Sequence, residues 1–284
     1  VIGLIVTGDC EREGLAGSLE RLFPGEQFEV AQQKNSLSSG DLAFGTTPGI
    51  RSKADEFAAA LVAESDSSHY DFVIGVDDVE IPNAQHPDRI VTMLVEAVRR
   101  HVTAHFAHER DRSKTYERLR ERVSFHLLAP MVEAYFFADP AALVKAGAVR
   151  PSQFRAGQVD VEQFVVEDPD YLRVPYPATA PKEARKKSWA RPEHRERHPK
   201  AYLKFLCEPD DPLCRARRYR ESKGGALALR ELAWAPALAS PQHGMIARAL
   251  LDDIANMLDR DRPFLGDTHH ATSQPPSSRL LRNV

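Results

Sequence analysis

The chain has 284 residues, 42% of them hydrophobic and 28% charged, with a formal net charge of −3; that is the make-up of a soluble globular protein with room for a large core, in one domain or two. No run approaches the ~18–20 apolar residues of a membrane span, and the net charge does not itself point to nucleic acid. Cys10, Cys207 and Cys214 are scattered with no C-x-x-C pair, which argues against a zinc framework and favours a reducing cytosol.

The opening VIGLIVTGD lacks a basic n-region and a small-residue cleavage site, so Val1–Val6 reads as a first strand rather than a signal peptide. Leu15, Leu19, Leu22 and Phe23 give Glu11–Phe23 the spacing of an amphipathic helix, which Pro24-Gly25 stops. Phe28–Ala31 predicts a short strand, Asn35–Gly49 a loop, Ala54–Glu64 a helix and Tyr70–Val76 a buried strand. Pro87 to about His105 has a broad apolar face built on Ile90, Val91, Leu94, Val95, Val98 and Val102. Glu109–Arg122 predicts an exposed helix, Val123–Leu128 a buried strand, and Met131–Ala138 a helix with Pro130 near its start. After about residue 150 the pattern changes. Pro169, Pro175, Pro177 and Pro181 mark Val165–Lys182 as an extended connection. Lys182–Trp189, Pro199–Cys207 and Gly225–Leu232 predict helices, and Ile246 to Leu258 gives the last amphipathic one. Asp267–Val284 predicts a mobile tail.

Strands alternating with helices point to βαβ crossovers. The expected fold class is α/β: a mostly parallel sheet flanked by helices, Rossmann-like, over residues 1–150. A mainly helical, basic elaboration over 151–262 would pack on it, followed by a flexible tail over 263–284.

Asp77-Asp78-Val79-Glu80 follows a buried strand directly. Carboxylates that close raise one another's pKa unless a cation neutralises them. A divalent ion such as Mg2+ is one explanation; a polar loop opening after a strand is the other. Ligands of parallel sheets bind outside the carboxyl ends of the strands. Three acidic features fall just past strand ends: Asp9/Glu11, Asp77/Asp78/Glu80 and Glu133. A parallel sheet would bring them to one rim. From Lys182 to Arg230, fifteen Lys and Arg stand against seven Asp and Glu. This suggests a basic surface for a polyanion, or a solvated helical face with internal ion pairs.

In order along the chain, Thr7-Gly8-Asp9-Cys10-Glu11, Asp78-Val79-Glu80, Glu133-Ala134-Tyr135-Phe136-Phe137-Ala138-Asp139, His198-Pro199-Lys200 and Tyr219 to Lys223-Gly224 resemble the motifs of the TOPRIM (topoisomerase–primase) domain. The resemblance is to a branch near the OLD-family nucleases, whose genes often lie beside those of ATPases in bacterial defence sets. It implies a TOPRIM fold and a cytoplasmic, Mg2+- or Mn2+-dependent nuclease cleaving DNA or RNA, with an ATPase as partner. It implies Asp78 and Glu80 as metal ligands, Asp77 supporting them and Glu11 completing the site. Glu133 would hold a second metal or orient a ligand. Lys223, approached by Arg215, Arg217, Arg218 and Arg220, would stabilise charge on the phosphate.

One departure stands out. Thr7 occupies the place of the family's first Glu and has no carboxylate. Either Asp9 or Glu11 takes over, or the chain is a degenerate TOPRIM-like subunit that binds nucleic acid or regulates. A third reading is a rim that binds a small phosphorylated ligand. Structural roles compete at each residue. Glu11 and Glu133 are also first-turn acids favoured by the helix dipole. Asp139 before Pro140 reads as a turn or N-cap, Lys200 as a helix start, and Tyr202 and Trp189 as packing or base-stacking residues. His198 has no partner at zinc spacing. No G-x-x-x-x-G-K-[ST] loop and no G-x-S-x-G elbow occurs. Cys10, between two acids, is badly placed to be a thiolate.

Overall fold

The computed structural model describes residues 1–37, 42, 47–173, 192–208, 219–269 and 279–284. Its frame is a four-stranded parallel sheet in the order β2-β1-β3-β4. The strands are β1 (Ile2–Val6), β2 (Phe28–Gln33), β3 (Phe72–Asp78) and β4 (Val123–Leu128). β1 and β3 lie in the middle because both of their faces are apolar, which is the signature of a strand covered on two sides. Pleating divides them. Ile2, Leu4, Val6, Ile74 and Val76 join one core, and Ile5 and Val73 join the other.

The first core is covered by α1 (Asp9–Leu22), which contributes Leu15 and Leu19. The second is covered by α2 (Pro48–Asp66), α3 (Pro87–His105) and α4 (Glu109–Arg122) through Phe57, Leu61, Leu94, Val98 and Leu119. α2 is longer than its apolar spacing predicts, because Thr47 Oγ1 accepts a hydrogen bond from Ile50 N and Pro48 fills the first turn. Gly75 makes room on this face: a Cβ there would stand 2.8 Å from Phe57 Cε1. Phe57 and Phe125 then meet edge to face, with centroids 5.6 Å apart.

The region after residue 150 shares the first core rather than forming its own. Its described helices are α7 (Pro169–Leu172), α8 (Pro199–Cys207), α9 (Ala226–Arg230), α10 (Trp234–Ala237) and α11 (Met245–Met257). Phe154, Phe164, Tyr202 and Phe137 form a stack of rings, with Tyr202 parallel to Phe137 at 5.5 Å. Tyr202 is fully buried and its hydroxyl donates to Asp168 Oδ2 at 2.8 Å, so it packs and is not offered to bases. Lys182–Trp189, Pro175, Pro177 and Pro181 lie outside the described residues.

Three sequence expectations are corrected. β3 runs to Asp78, two residues past the expected Val76, because Asp77 and Asp78 pair with Leu127 and Leu128 of β4. Met131–Ala138 holds only one helical turn, α5 (Glu133–Phe136), and a new helix, α6 (Pro140–Ala146), starts where Asp139 caps it. Residues 279–284, expected in a mobile tail, are packed: Leu280, Leu281 and Val284 are buried in the second core. Arg282 N donates to Val123 O, and the Asn283 side chain bonds both the N–H and the C=O of Phe125 along the outer edge of β4.

If this segment is part of the core, Leu281→Ala removes a fully buried side chain and lowers the unfolding free energy by about 2–4 kcal/mol. Urea denaturation measures this, and a loss under about 0.5 kcal/mol, the range of surface substitutions, would show that the segment is not needed.

Candidate functional site

Parallel strands put all their carboxyl ends on one edge, and the acidic residues sit there. Glu11 lies in the first turn of α1 just after β1, Asp78 ends β3, Glu80 follows it, and Glu133 opens α5 after β4. The extra length of β3 decides which of the paired aspartates joins them. Adjacent residues of a strand face opposite ways, so Asp78 lies on the face of α1 and α5 while Asp77 lies on the face of α2 and α3.

Asp77 is buried and held by the protein itself. Its Oδ1 accepts from Thr7 Oγ1 at 2.6 Å, its Oδ2 accepts from Leu37 N at 3.1 Å, and Ser36 adds a third hydrogen bond. Burial pushes its carboxyl up to about 7 even though these donors pull it down. Asp77 therefore braces the end of β1 and the loop after β2. Thr7, at the position where the TOPRIM resemblance expects a glutamate, is its partner.

The cluster proper is Glu11, Asp78, Glu80 and Glu133. Glu11 folds back over Gly8, where a Cβ would meet its Oε2 at 1.9 Å. Its carboxyl is pushed up to about 7, first by burial and then by the Glu133 charge; hydrogen bonds from its own backbone and with Asp78, and the charge of Lys200, offset part of this. Burial, followed by Glu11 and Glu133, raises Asp78 well above the ordinary carboxylate range. Asp78 Oδ1 also accepts from Val132 N at 3.0 Å, which ties β3 to the head of α5. Burial raises Glu80 as well, opposed by Lys200. Glu133 is completely buried; its Oε1 accepts from the Tyr219 hydroxyl at 2.9 Å and lies 3.5 Å from Lys200 Nζ.

Lys200 is the cation paired with Glu133 in this cluster, and Lys53 adds a smaller favourable charge at Glu80. It sits in the first turn of α8, with its ammonium also 2.9 Å from Glu221 Oε1. Burial would lower its pKa, but Glu133, Glu221 and Asp78 outweigh that and hold it well above the usual lysine value. Sequence reasoning gave the cationic role to Lys223, which is exposed on the turn Glu221–Gly225. A signal for Lys200 was present: a lysine in a first helical turn opposes the macrodipole, so something else must hold it there. Arg215, Arg217 and Arg218 lie outside the described residues.

Other side chains take structural roles. His198 caps α8, its Nδ1 accepting from Ala201 N at 3.2 Å, and burial with Lys200 and Lys204 nearby depresses it to about 3. Asp139 accepts from Ala141 N and Ala233 N. Glu162, with no role assigned from sequence, accepts from Tyr135 and from the first N–H groups of α11; burial pushes it up to about 7. Cys10 is raised well above a normal thiol by burial and by Glu11, Glu133 and Asp78, which leaves it protonated and a poor nucleophile.

The donor set suits a hard divalent ion, which takes carboxylate oxygens. Glu11 Oε1 and Glu133 Oε2 are buried with no hydrogen-bond partner, an expensive arrangement unless something else binds them. Among the described residues no three acidic, His or Cys side chains are already gathered in coordinating positions. No family model, curated protein or solved structure matches the chain.

The raised carboxyls fix a pH dependence. Glu11 and Glu162 move from 4.5, and Asp77 from 3.8, to about 7 on folding. The folded state therefore holds these protons more tightly, so their contribution is complete below the unfolded values and is lost as pH rises through about 7. In metal-free buffer, unfolding free energy should fall across that interval, and Asp77→Asn should flatten part of the slope. A series of urea titrations at stepped pH measures it; stability that climbs over the same interval would contradict the buried cluster.

Proposed function

We propose that this chain is a divalent-metal-dependent phosphodiester hydrolase acting on nucleic acid, DNA or RNA, on a TOPRIM-like sheet. One observation carries the reading: Glu11 and Glu133 are buried and Asp78 is half-buried, the three come from different strand ends and act on one another beside the Lys200 ammonium, and two carboxylate oxygens are left without hydrogen bonds. Glu11, Asp78, Glu80 and Glu133 would hold Mg2+ or Mn2+. Such an ion, when bound, supplies a nucleophilic water and neutralises charge on the phosphate.

The chain's own residues do the rest. Asp77 keeps β1 and β3 aligned through Thr7, so the rim holds its shape. Tyr219 orients Glu133 by its hydrogen bond. Arg220 and Lys223, both exposed beside the cluster's Glu221, offer charge to a phosphate backbone. The partner ATPase and the defence role implied by the resemblance belong to the same reading.

A second reading, a degenerate subunit that binds nucleic acid or regulates, draws its support from Thr7. It brings no carboxylate, and its hydroxyl is committed to Asp77 on the face away from Glu11.

Incubating the protein with DNA and RNA, with and without Mg2+ or Mn2+, separates the two. The hydrolase reading expects metal-dependent cleavage that Asp78→Asn, Glu11→Gln and Glu133→Gln each reduce by at least about 100-fold. Asp77→Asn should act mainly through stability and cost less than about tenfold in rate. Absence of cleavage under every condition, with a partner ATPase supplied, favours the degenerate subunit.

A further inference from the structure

We propose that Lys200 is the resident counter-ion of the carboxylate cluster, and that a divalent cation entering the site displaces it from Glu133 while Glu221 keeps the released ammonium at the rim. The inference rests on the metal-dependent reading above and concerns how that site is filled.

The geometry offers Lys200 two holds of different depth. Glu133 is completely buried, and its Oε1 lies 3.5 Å from Nζ; Glu221 is nearer the surface, its side chain 34% exposed, and its Oε1 lies 2.9 Å from Nζ. The shorter contact is the outer one. Glu133 Oε2 has no hydrogen-bond partner, while Oε1 is also held by Tyr219. Glu133 can thus turn a free oxygen toward an ion and keep its tyrosine. Lys200 has a route outward, since a quarter of its side chain is already exposed, and a lysine carries its point charge on a flexible four-carbon stem.

Charge arithmetic gives the direction of exchange. Ionised acids packed this closely are costly without a cation, so a positive group beside them is favoured over an unneutralised cluster. Lys200, with Lys53 acting on Glu80, brings fewer positive charges than the four carboxyl groups Glu11, Asp78, Glu80 and Glu133 can carry as anions, and a divalent ion answers that excess better. Ammonium and metal would repel at such short range. They are alternative partners of Glu133, and Glu221 keeps Lys200 near the place where a phosphate would arrive.

The test titrates the purified protein with Mn2+ by calorimetry near pH 8. Lys200→Met should bind Mn2+ about tenfold or more tightly than wild type, because the competing charge is gone. Lys200→Arg keeps the charge and should stay within about twofold of wild type. Metal-free Lys200→Met should melt below wild type and show the larger upward Tm shift with Mn2+, a rescue that a merely structural lysine would not give. A second measurement needs no variant. Acylation of Lys200 in wild type, read by peptide mass spectrometry, should rise several-fold when Mn2+ saturates the site. Equal or weaker Mn2+ binding by folded Lys200→Met overturns the exchange, as does unchanged or reduced acylation. Wild type that takes up no Mn2+ at all defeats the functional reading itself and the exchange with it.

Discussion

The pairing of β3 with β4 continues to Asp78, opposite Leu128, and the arrangement of the rim follows from it. Had β3 ended at Val76, Asp77 and Asp78 would both sit in a loop, free to turn the same way. Because the ladder holds them, pleating sends one to each face of the sheet. Asp78 meets Glu11 and Glu133, and Asp77 meets Thr7 and Leu37. Two adjacent residues of the same type thereby acquire different chemistry. One is satisfied by protein donors; the other is crowded by like charges.

That crowding is supportable only because the surroundings are fixed. Glu11 is pressed over a glycine, Glu133 is held by a buried tyrosine, and Lys200 is kept in place by acids on two separate elements. Only the first of these restraints is local in sequence. They join residues 8 to 11, 133, 200 and 219 to 221, so the site exists only when the helical region after residue 150 closes on the sheet through the shared first core. Fold and site are assembled in the same step.

Much of this was legible in the chain and some was not. The parallel α/β sheet could be read because β1, β3 and β4 are short apolar runs separated by helical spacing, and α3 follows its apolar stripe from Pro87 to His105. The convergence of Glu11, Asp78 and Glu133 followed from parallel strands alone. The separation of Asp77 from Asp78 did not, because it depends on a register that Leu127 and Leu128 supply from a distant strand. Lys200 and Lys223 could not be ranked for a similar reason: which ammonium enters the cluster is set by where α8 packs. The packed segment 279–284 was hidden by its polar approach. Its two leucines read as isolated, although Asn283 gives them a specific seat.

That seat has a consequence for how the molecule meets other chains. A sheet edge with unpaired N–H and C=O groups is a template on which another strand can add. At β4 the side-chain amide of Asn283 occupies both backbone groups of Phe125, and Arg282 takes the carbonyl of Val123. That stretch of the edge is occupied by an imitation peptide bond. A strand from a second copy or a partner adding here would first have to displace Asn283 and Arg282 from β4.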